Sequence, residues 1–201
     1  MSGIIAQNLL DGSGLVKAPE GGGAWNFISK QTASSDSTIS FTSGIDSTYR
    51  EYLFTFNNIH PATDGAEFKF NLSVDTGSNY NVTKTTTHIY AFHTEADDAA
   101  SLSYDTSRDL AQGTGFQNLT GDTGNNNDQS LSGSLQIFNP SSTTFVKNFL
   151  ANTNSYYSSD SSYNSYVSGY GNTTSAVDAI QFKMSTGNID AGDICLYGLT
   201  T

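Results

Sequence analysis

The sequence predicts an all-β fold, and three observations carry the prediction. Apolar and polar residues alternate with period two in several runs, most cleanly where Phe68, Phe70, Leu72 and Val74 interleave with Lys69, Asn71 and Ser73, the pattern of a strand with one buried and one solvated face. The composition favours strands, with 11 Tyr and 12 Phe beside many Thr and Val, and with Ser, Thr, Asn and Gly between the apolar runs. No stretch has the period of an amphipathic helix. About ten short strands with turn signals at regular spacing make the expected architecture a single antiparallel β-sandwich of jelly-roll type with an extended N-terminal arm.

Residues 1–24 are the arm. Ile4, Ile5, Leu9, Leu10, Leu15 and Val16 are interrupted by Gly3, by the run 11–14 and by the Pro/Gly-rich run 19–23. So many glycines oppose an independent helix or strand, and the apolar pairs gain nothing in solvent. These six residues are therefore expected to dock on a partner chain. Residues 25–201 form the expected sandwich domain. Trp25–Ile28 opens it, Thr38–Phe41 follows, and Tyr49–Ile59 places Tyr52, Phe54 and Phe56 on one face and Leu53 and Thr55 on the other. Phe68–Val74 and Thr87–Phe92 are further strands, separated by turns at 57–65 and 75–79. From Thr94 to Asn118 the pattern dissolves into a polar excursion, and 122–128 is a turn cluster. Leu131–Ile137 is expected to pair with Thr144–Leu150. The Asn, Ser and Tyr-rich stretch 152–164 reads as a surface loop or an edge. Ala179–Met184 and Ile194–Leu199 read as a closing hairpin whose second strand is central and covered on both faces.

With 201 residues the chain suits one domain, which buries roughly 70% of the surface its unfolded chain exposes. Eight basic against nineteen acidic residues give a net charge of -11, and the basic residues are scattered singly, which argues against nucleic acid or an anionic membrane as a partner. The N-terminus lacks a basic n-region, so no signal peptide is expected, and no apolar run approaches the ~20 residues of a membrane span. Cys195, the single cysteine, reads as a buried, inert thiol between Ile194 and Leu196.

Catalytic and metal-binding residues are not identifiable. His60, His88 and His93 stand in no ligand spacing and read as surface or loop histidines. The run Asp122–Asp128 offers oxygens of the kind calcium prefers, yet departs from the twelve-residue loop of a helical calcium site, and tight turns use the same residues. No cofactor or metal is expected. Tyr156, Tyr157, Tyr163 and Tyr166 sit among Ser, Asn and Gly, a mixture that ligand-binding faces employ because tyrosine offers rigid apolar area and one hydroxyl. The plainer alternative is an edge strand whose rings cover the margin of the core.

The stretch Asp178-Ala-Ile-Gln-Phe-Lys-Met-Ser-Thr-Gly-Asn-Ile-Asp-Ala-Gly-Asp-Ile-Cys-Leu-Tyr-Gly-Leu199 resembles the C-terminal signature of virion structural proteins of tailed bacteriophages, notably marine ones infecting cyanobacteria and other ocean bacteria. Trp25–Ile28, Tyr49–Pro61 and Phe138–Ser142 look like further blocks of that group. The resemblance implies display on a phage particle, in a head-surface (capsid decoration) or tail-fibre-like role, and brings no catalytic motif. A docking arm before one compact domain suits a decoration or small appendage protein, whereas a long fibre would need shaft repeats. Assembly in the host cytoplasm and release by lysis would fit the lack of a signal peptide. The expectation is thus a non-enzymatic virion protein held to a capsid or tail partner, and homo-oligomeric. A second expectation is a receptor-binding adhesin whose tyrosines and 94–118 excursion contact host glycans. A sandwich glycoside hydrolase is set aside because no acid/base pair is identifiable.

Overall fold

Period-two alternation turns into strand pairing almost everywhere it occurs in the chain. The computed structural model describes residues 24–200. Among these, no helix occurs and the strands are β1 Trp25–Thr32, β2 Ile39–Phe41, β3 Glu51–Pro61, β4 Phe68–Ser73, β5 Lys84–Thr94, β6 Ala100–Tyr104, β7 Gln117–Asn118, β8 Leu131–Phe138, β9 Lys147–Tyr157, β10 Ser161–Gly171, β11 Ala179–Met184 and β12 Ile189–Leu199. They form an eight-stranded sheet in the order β1-β12-β3-β8-β9-β10-β5-β6 and a four-stranded sheet in the order β2-β11-β4-β7. Every pairing is antiparallel.

The pairings are nested. β1 pairs β12, β2 pairs β11, β3 pairs β8 and β4 pairs β7. These eight strands form a frame, folded as one long hairpin in two layers. The remaining four strands are two inserted hairpins, β5/β6 between β4 and β7 and β9/β10 between β8 and β11. They extend the large sheet beyond β8, side by side through the β10–β5 pairing.

The inward faces of the frame supply the core. Phe182 of the small sheet meets Phe54 and Phe56 of the large sheet, each at 5.3 Å between ring centroids, and stacks on Phe68 at 5.6 Å. Edge-to-face geometry dominates, as ring quadrupoles prefer. Tyr52, Ile59, Phe70, Leu72, Leu135, Ile194 and Leu196 are all buried in the same cluster. Phe70 reaches Phe149 of β9 at 5.1 Å, so the frame core continues into the root of the second insertion.

Several expectations need correction. Ala179–Met184 and Ile194–Leu199 do not pair as a hairpin: β11 lies in the small sheet between β2 and β4, and β12 lies in the large sheet between β1 and β3. Both strands carry an apolar face, and they bury it from opposite layers of one core. The chain changes layer through 185–188, where Gly187 takes φ 68° and an added Cβ would press on the Thr63 hydroxyl. β12 also begins earlier than expected, at Ile189, through two register shifts.

The polar stretch 152–164 is neither a loop nor an edge. It forms the turn and the adjoining half of the β9/β10 hairpin, with β8 and β5 on either side. Asn152, Asn154, Ser162 and Asn164 face outward and pair across strands, Asn164 Nδ2 donating to Asn152 Oδ1 at 3.0 Å and Ser162 Oγ to Asn154 Oδ1 at 3.1 Å. Loop-like composition here decorates a sheet surface. His88 is no surface histidine: it is fully buried, and neither ring nitrogen has a partner among the described residues. The excursion 94–118 contains β6 and β7. The expected arm, with Ile4, Ile5, Leu9, Leu10, Leu15 and Val16, lies outside the described residues.

Candidate functional site

The inserted hairpins have an interior unlike that of the frame. Odd-numbered residues of β9 and β10 and even-numbered residues of β5 face inward. They include Lys84, Thr86, His88 and Tyr90, then Thr153, Ser155 and Tyr157, then Tyr163 and Ser165. The small sheet reaches only their near end, through Asn71 of β4 and the short edge strand β7, and the mostly irregular segment 105–124 that carries β7 supplies the cover. Thr86 N–H donates to the Leu110 carbonyl at 2.9 Å, Thr86 Oγ1 to Gln117 Oε1 at 2.6 Å, and Thr153 Oγ1 to the Leu119 carbonyl at 2.5 Å. A Cβ at Gly121 would come within 2.8 Å of the Tyr163 ring and 2.9 Å of the Tyr157 ring. The bare backbone there is what lets the segment lie against them.

Where this cover ends, a cavity of about 220 Å³ opens, lined by Tyr90, Phe92, Tyr157, Tyr163, Asp105 and Arg108, with Thr94, Ser159 and Ser161. Strand register builds its aromatic wall. Tyr163 on β10 stands between Tyr90 on β5 and Tyr157 on β9, stacked on each at 5.0 Å with interplanar angles of 12° and 23°. Phe92 continues the column at 6.3 Å from Tyr90. Offset stacks of this kind are the favoured near-parallel arrangement of rings.

Arg108 closes the other side. Its Nε donates to Glu67 Oε1, its Nη1 to Asp105 Oδ2 and its Nη2 to Asp122 Oδ1, each at 2.7 Å, while Lys69 Nζ lies 3.0 Å from Glu67 Oε2. Two cations thus face three carboxylates. Burial alone would raise the Asp105 pKa, but hydrogen bonds from Ser107 and from Arg108 outweigh it and hold the pKa at about 2. Burial also opposes the guanidinium charge, and the Asp105 and Glu67 carboxylates more than offset this, raising its pKa. Tyr157 Oη donates to Asp122 Oδ2 at 2.9 Å. Burial raises the pKa values of both Tyr157 and Tyr163, so both phenols stay protonated at neutral pH.

Of the four tyrosines singled out in the sequence, the structure brings Tyr157 and Tyr163 together and separates the others. Tyr156 and Tyr166 fall on the outer face, Tyr156 Oη donating to Asp160 at 3.2 Å and Tyr166 standing half exposed beside Ile89. Sequence reasoning missed Tyr90, Phe92, Asp105 and Arg108. The parity of Tyr90 and Phe92 on β5 was a usable signal, since both share a face with Thr86 and His88; nothing local marks Arg108. The outer face has its own feature. Tyr166, Ile89 and Tyr104 stand in direct register across β10, β5 and β6, flanked by Leu150 and Leu102, all exposed by 40–74%. Among the described residues no group of three or more His, Cys, Asp or Glu side chains could hold a metal ion, because the gathered carboxylates surround a guanidinium. Among the described residues no helix is long and apolar enough to cross a membrane.

No family model, curated protein or solved structure matches the chain.

Proposed function

We propose that the protein is a non-enzymatic structural component displayed on a virion surface, of decoration or appendage type, joined to capsid or tail proteins and to copies of itself. The observation that carries this reading is the outward stripe of Leu150, Tyr166, Ile89, Tyr104 and Leu102 across four neighbouring strands. Contiguous exposed apolar surface of this kind marks protein interfaces. The nested pairing of the frame supports a jelly-roll architecture, a fold that capsid proteins employ, and the resemblance of 178–199 to phage virion proteins points the same way. Docking through the apolar residues of the arm belongs to the same proposal.

Particles produced with residues 2–20 deleted should lack the protein while its domain still folds; wild-type occupancy would end the docking role of the arm. The pair Ile89→Lys and Tyr166→Lys should likewise fold, since both side chains face solvent, and should fail to incorporate. Normal incorporation of that pair would remove the stripe from the proposal.

A second reading is favoured by one specific observation, the gathering of Tyr157 and Tyr163 with Tyr90 and Phe92 around a cavity. On this reading the displayed domain is an adhesin recognising host surface glycans. Binding of the purified chain to host cells, lost when the cells are stripped of surface polysaccharide, is the expected result.

A further inference from the structure

We propose that the cavity beneath Arg108 holds one uncharged sugar ring, an inference that rests on the glycan reading and gives it a defined site and ligand class. The argument turns on which polar groups in the cavity are already engaged. All the charged ones are. Arg108 spends its three nitrogens on Glu67, Asp105 and Asp122. Asp105 accepts from Arg108 through Oδ2 and from the Ser107 backbone N–H and hydroxyl through Oδ1. Asp122 accepts from Arg108 and Tyr157. An anionic ligand finds no free cation there and meets a cluster with one more carboxylate than cation, so carboxylate, phosphate and sulfate are disfavoured.

A quaternary ammonium ligand is disfavoured for a different reason. Such cations bind the open faces of aromatic rings, and both faces of Tyr163 are covered, by Tyr90 on one side and Tyr157 on the other. Rings standing in a stack turn edges and phenol oxygens to the cavity. What stays free is hydroxyl. Tyr163 is 5% exposed and lines the cavity, yet its phenol has no hydrogen-bond partner among the described residues. The Tyr90 phenol and the hydroxyls of Ser159 and Ser161 are likewise unpartnered among them. These oxygens stay open to the cavity, and groups that both donate and accept are matched by a ligand whose own hydroxyls do the same. The edge of a sugar ring supplies such hydroxyls, and its C–H groups tolerate the apolar side formed by Phe92. The volume of about 220 Å³ falls below the range of drug-sized pockets, which limits the site to a single ring, the terminal unit of a longer glycan.

The test is a titration of the full chain, followed by backbone amide NMR shifts, with the methyl glycosides of glucose, galactose and mannose and with N-acetylglucosamine. Glucuronate, N-acetylneuraminate and tetramethylammonium serve as charged probes. At least one neutral sugar should bind with a Kd on the order of 1 mM, the strength expected of so small a polar ligand, shifting amides of 90–94 and 157–163. Tyr163→Phe keeps the ring stack and removes the free phenol oxygen, and should weaken binding about tenfold. Ser159→Trp, placed at an exposed position on the rim, should abolish binding without unfolding the domain; Asn148→Ala at an exposed position on the outer face of β9 should leave it unchanged. No saturable shift with any neutral sugar, tighter binding of a charged probe, or binding unaltered in both Tyr163→Phe and Ser159→Trp would each overturn the inference. Its failure is separable from that of the glycan reading. Cell binding that survives Ser159→Trp keeps the adhesin and removes this site, whereas sugar binding without cell binding keeps the site and removes the adhesin.

Discussion

The frame and the inserted hairpins are built from the same antiparallel strands in the same sheet, yet their interiors follow opposite rules. Inside the frame, Phe41, Phe54, Phe56, Phe68 and Phe182 interlock with Ile and Leu, and stability comes from apolar area removed from water. Inside the hairpins the corresponding positions hold Lys84, Thr86, His88, Ser155, Ser165 and Lys147. The difference follows from what lies opposite. A sheet packed on a second sheet can bury rings, whereas one covered by an irregular segment must satisfy that segment's backbone groups, and polar side chains do so. The arrangement leaves polar atoms unpaired: among the described residues, both nitrogens of His88, Ser155 Oγ and Ser165 Oγ have no partner. It also provides a cavity lined with hydroxyls, which an apolar interior could not.

The sharpest test of this contrast is Phe182→Ala, which removes the ring shared by four frame phenylalanines. It should cost about 3–5 kcal/mol in a urea melt; a loss below about 1 kcal/mol would deny the frame its role.

Arg108→Met comes next. It strands three carboxylates and should destabilise by about 2–4 kcal/mol at neutral pH. The Asp105 pKa is lowered from 3.8 to about 2 in the folded chain, so its stabilisation is complete above the unfolded value and is lost as pH falls through the folded one. Wild type and variant should therefore converge in acid. Parallel curves from pH 7 down to pH 2 would contradict the ion cluster.

Lys84→Met should work in the opposite direction. Burial pushes the lysine from 10.5 to about 7, and among the described residues its Nζ has only Asn71 Oδ1 and the Val82 carbonyl as partners. The unfolded chain holds the proton between those values, so the lysine penalises the fold most below pH 7 and progressively less toward pH 10.5. The variant should gain about 1–2 kcal/mol in thermal melts at neutral pH, with the gain fading as pH rises. A loss at pH 7 would mean that the two hydrogen bonds outweigh burial.

The smallest change is expected from His88→Leu. Burial lowers the imidazole pKa below 6.5, so wild-type stability is full above that value and declines as pH falls below it. Removing the ring should alter stability by about 1 kcal/mol or less at pH 8 and flatten the profile below pH 6.5. An unchanged slope would show that His88 is not the group responsible.

The cavity tyrosines were half legible in the sequence. The run 152–164 reads as loop or edge because Asn and Ser dominate it, yet it carries alternation: Thr153, Ser155 and Tyr157 alternate with Asn152, Asn154 and Tyr156. Once those residues are accepted as a strand, parity alone puts Tyr157 and Tyr163 on one face and Tyr156 and Tyr166 on the other. No parity argument finds Arg108. It lies in an irregular segment and reaches the cavity because Gln117 Nε2 holds its carbonyl at 2.8 Å and Glu67, from the approach to β4, meets its Nε.

By itself the sequence determined the class of the fold, most strand positions and the burial of Phe54, Phe70 and Phe182, because period-two alternation is a local property of the chain and the hydrophobic effect acts on it directly. Only the tertiary structure decided partners. β11 and β12 carry the same alternation whether they lie side by side or face each other across the core, and the pattern specifies a face without naming the neighbour. Nested pairing, insertion of the two hairpins and convergence of Arg108 on Glu67, Asp105 and Asp122 are contacts between distant parts of the chain, fixed by which surfaces fill the shared interior best.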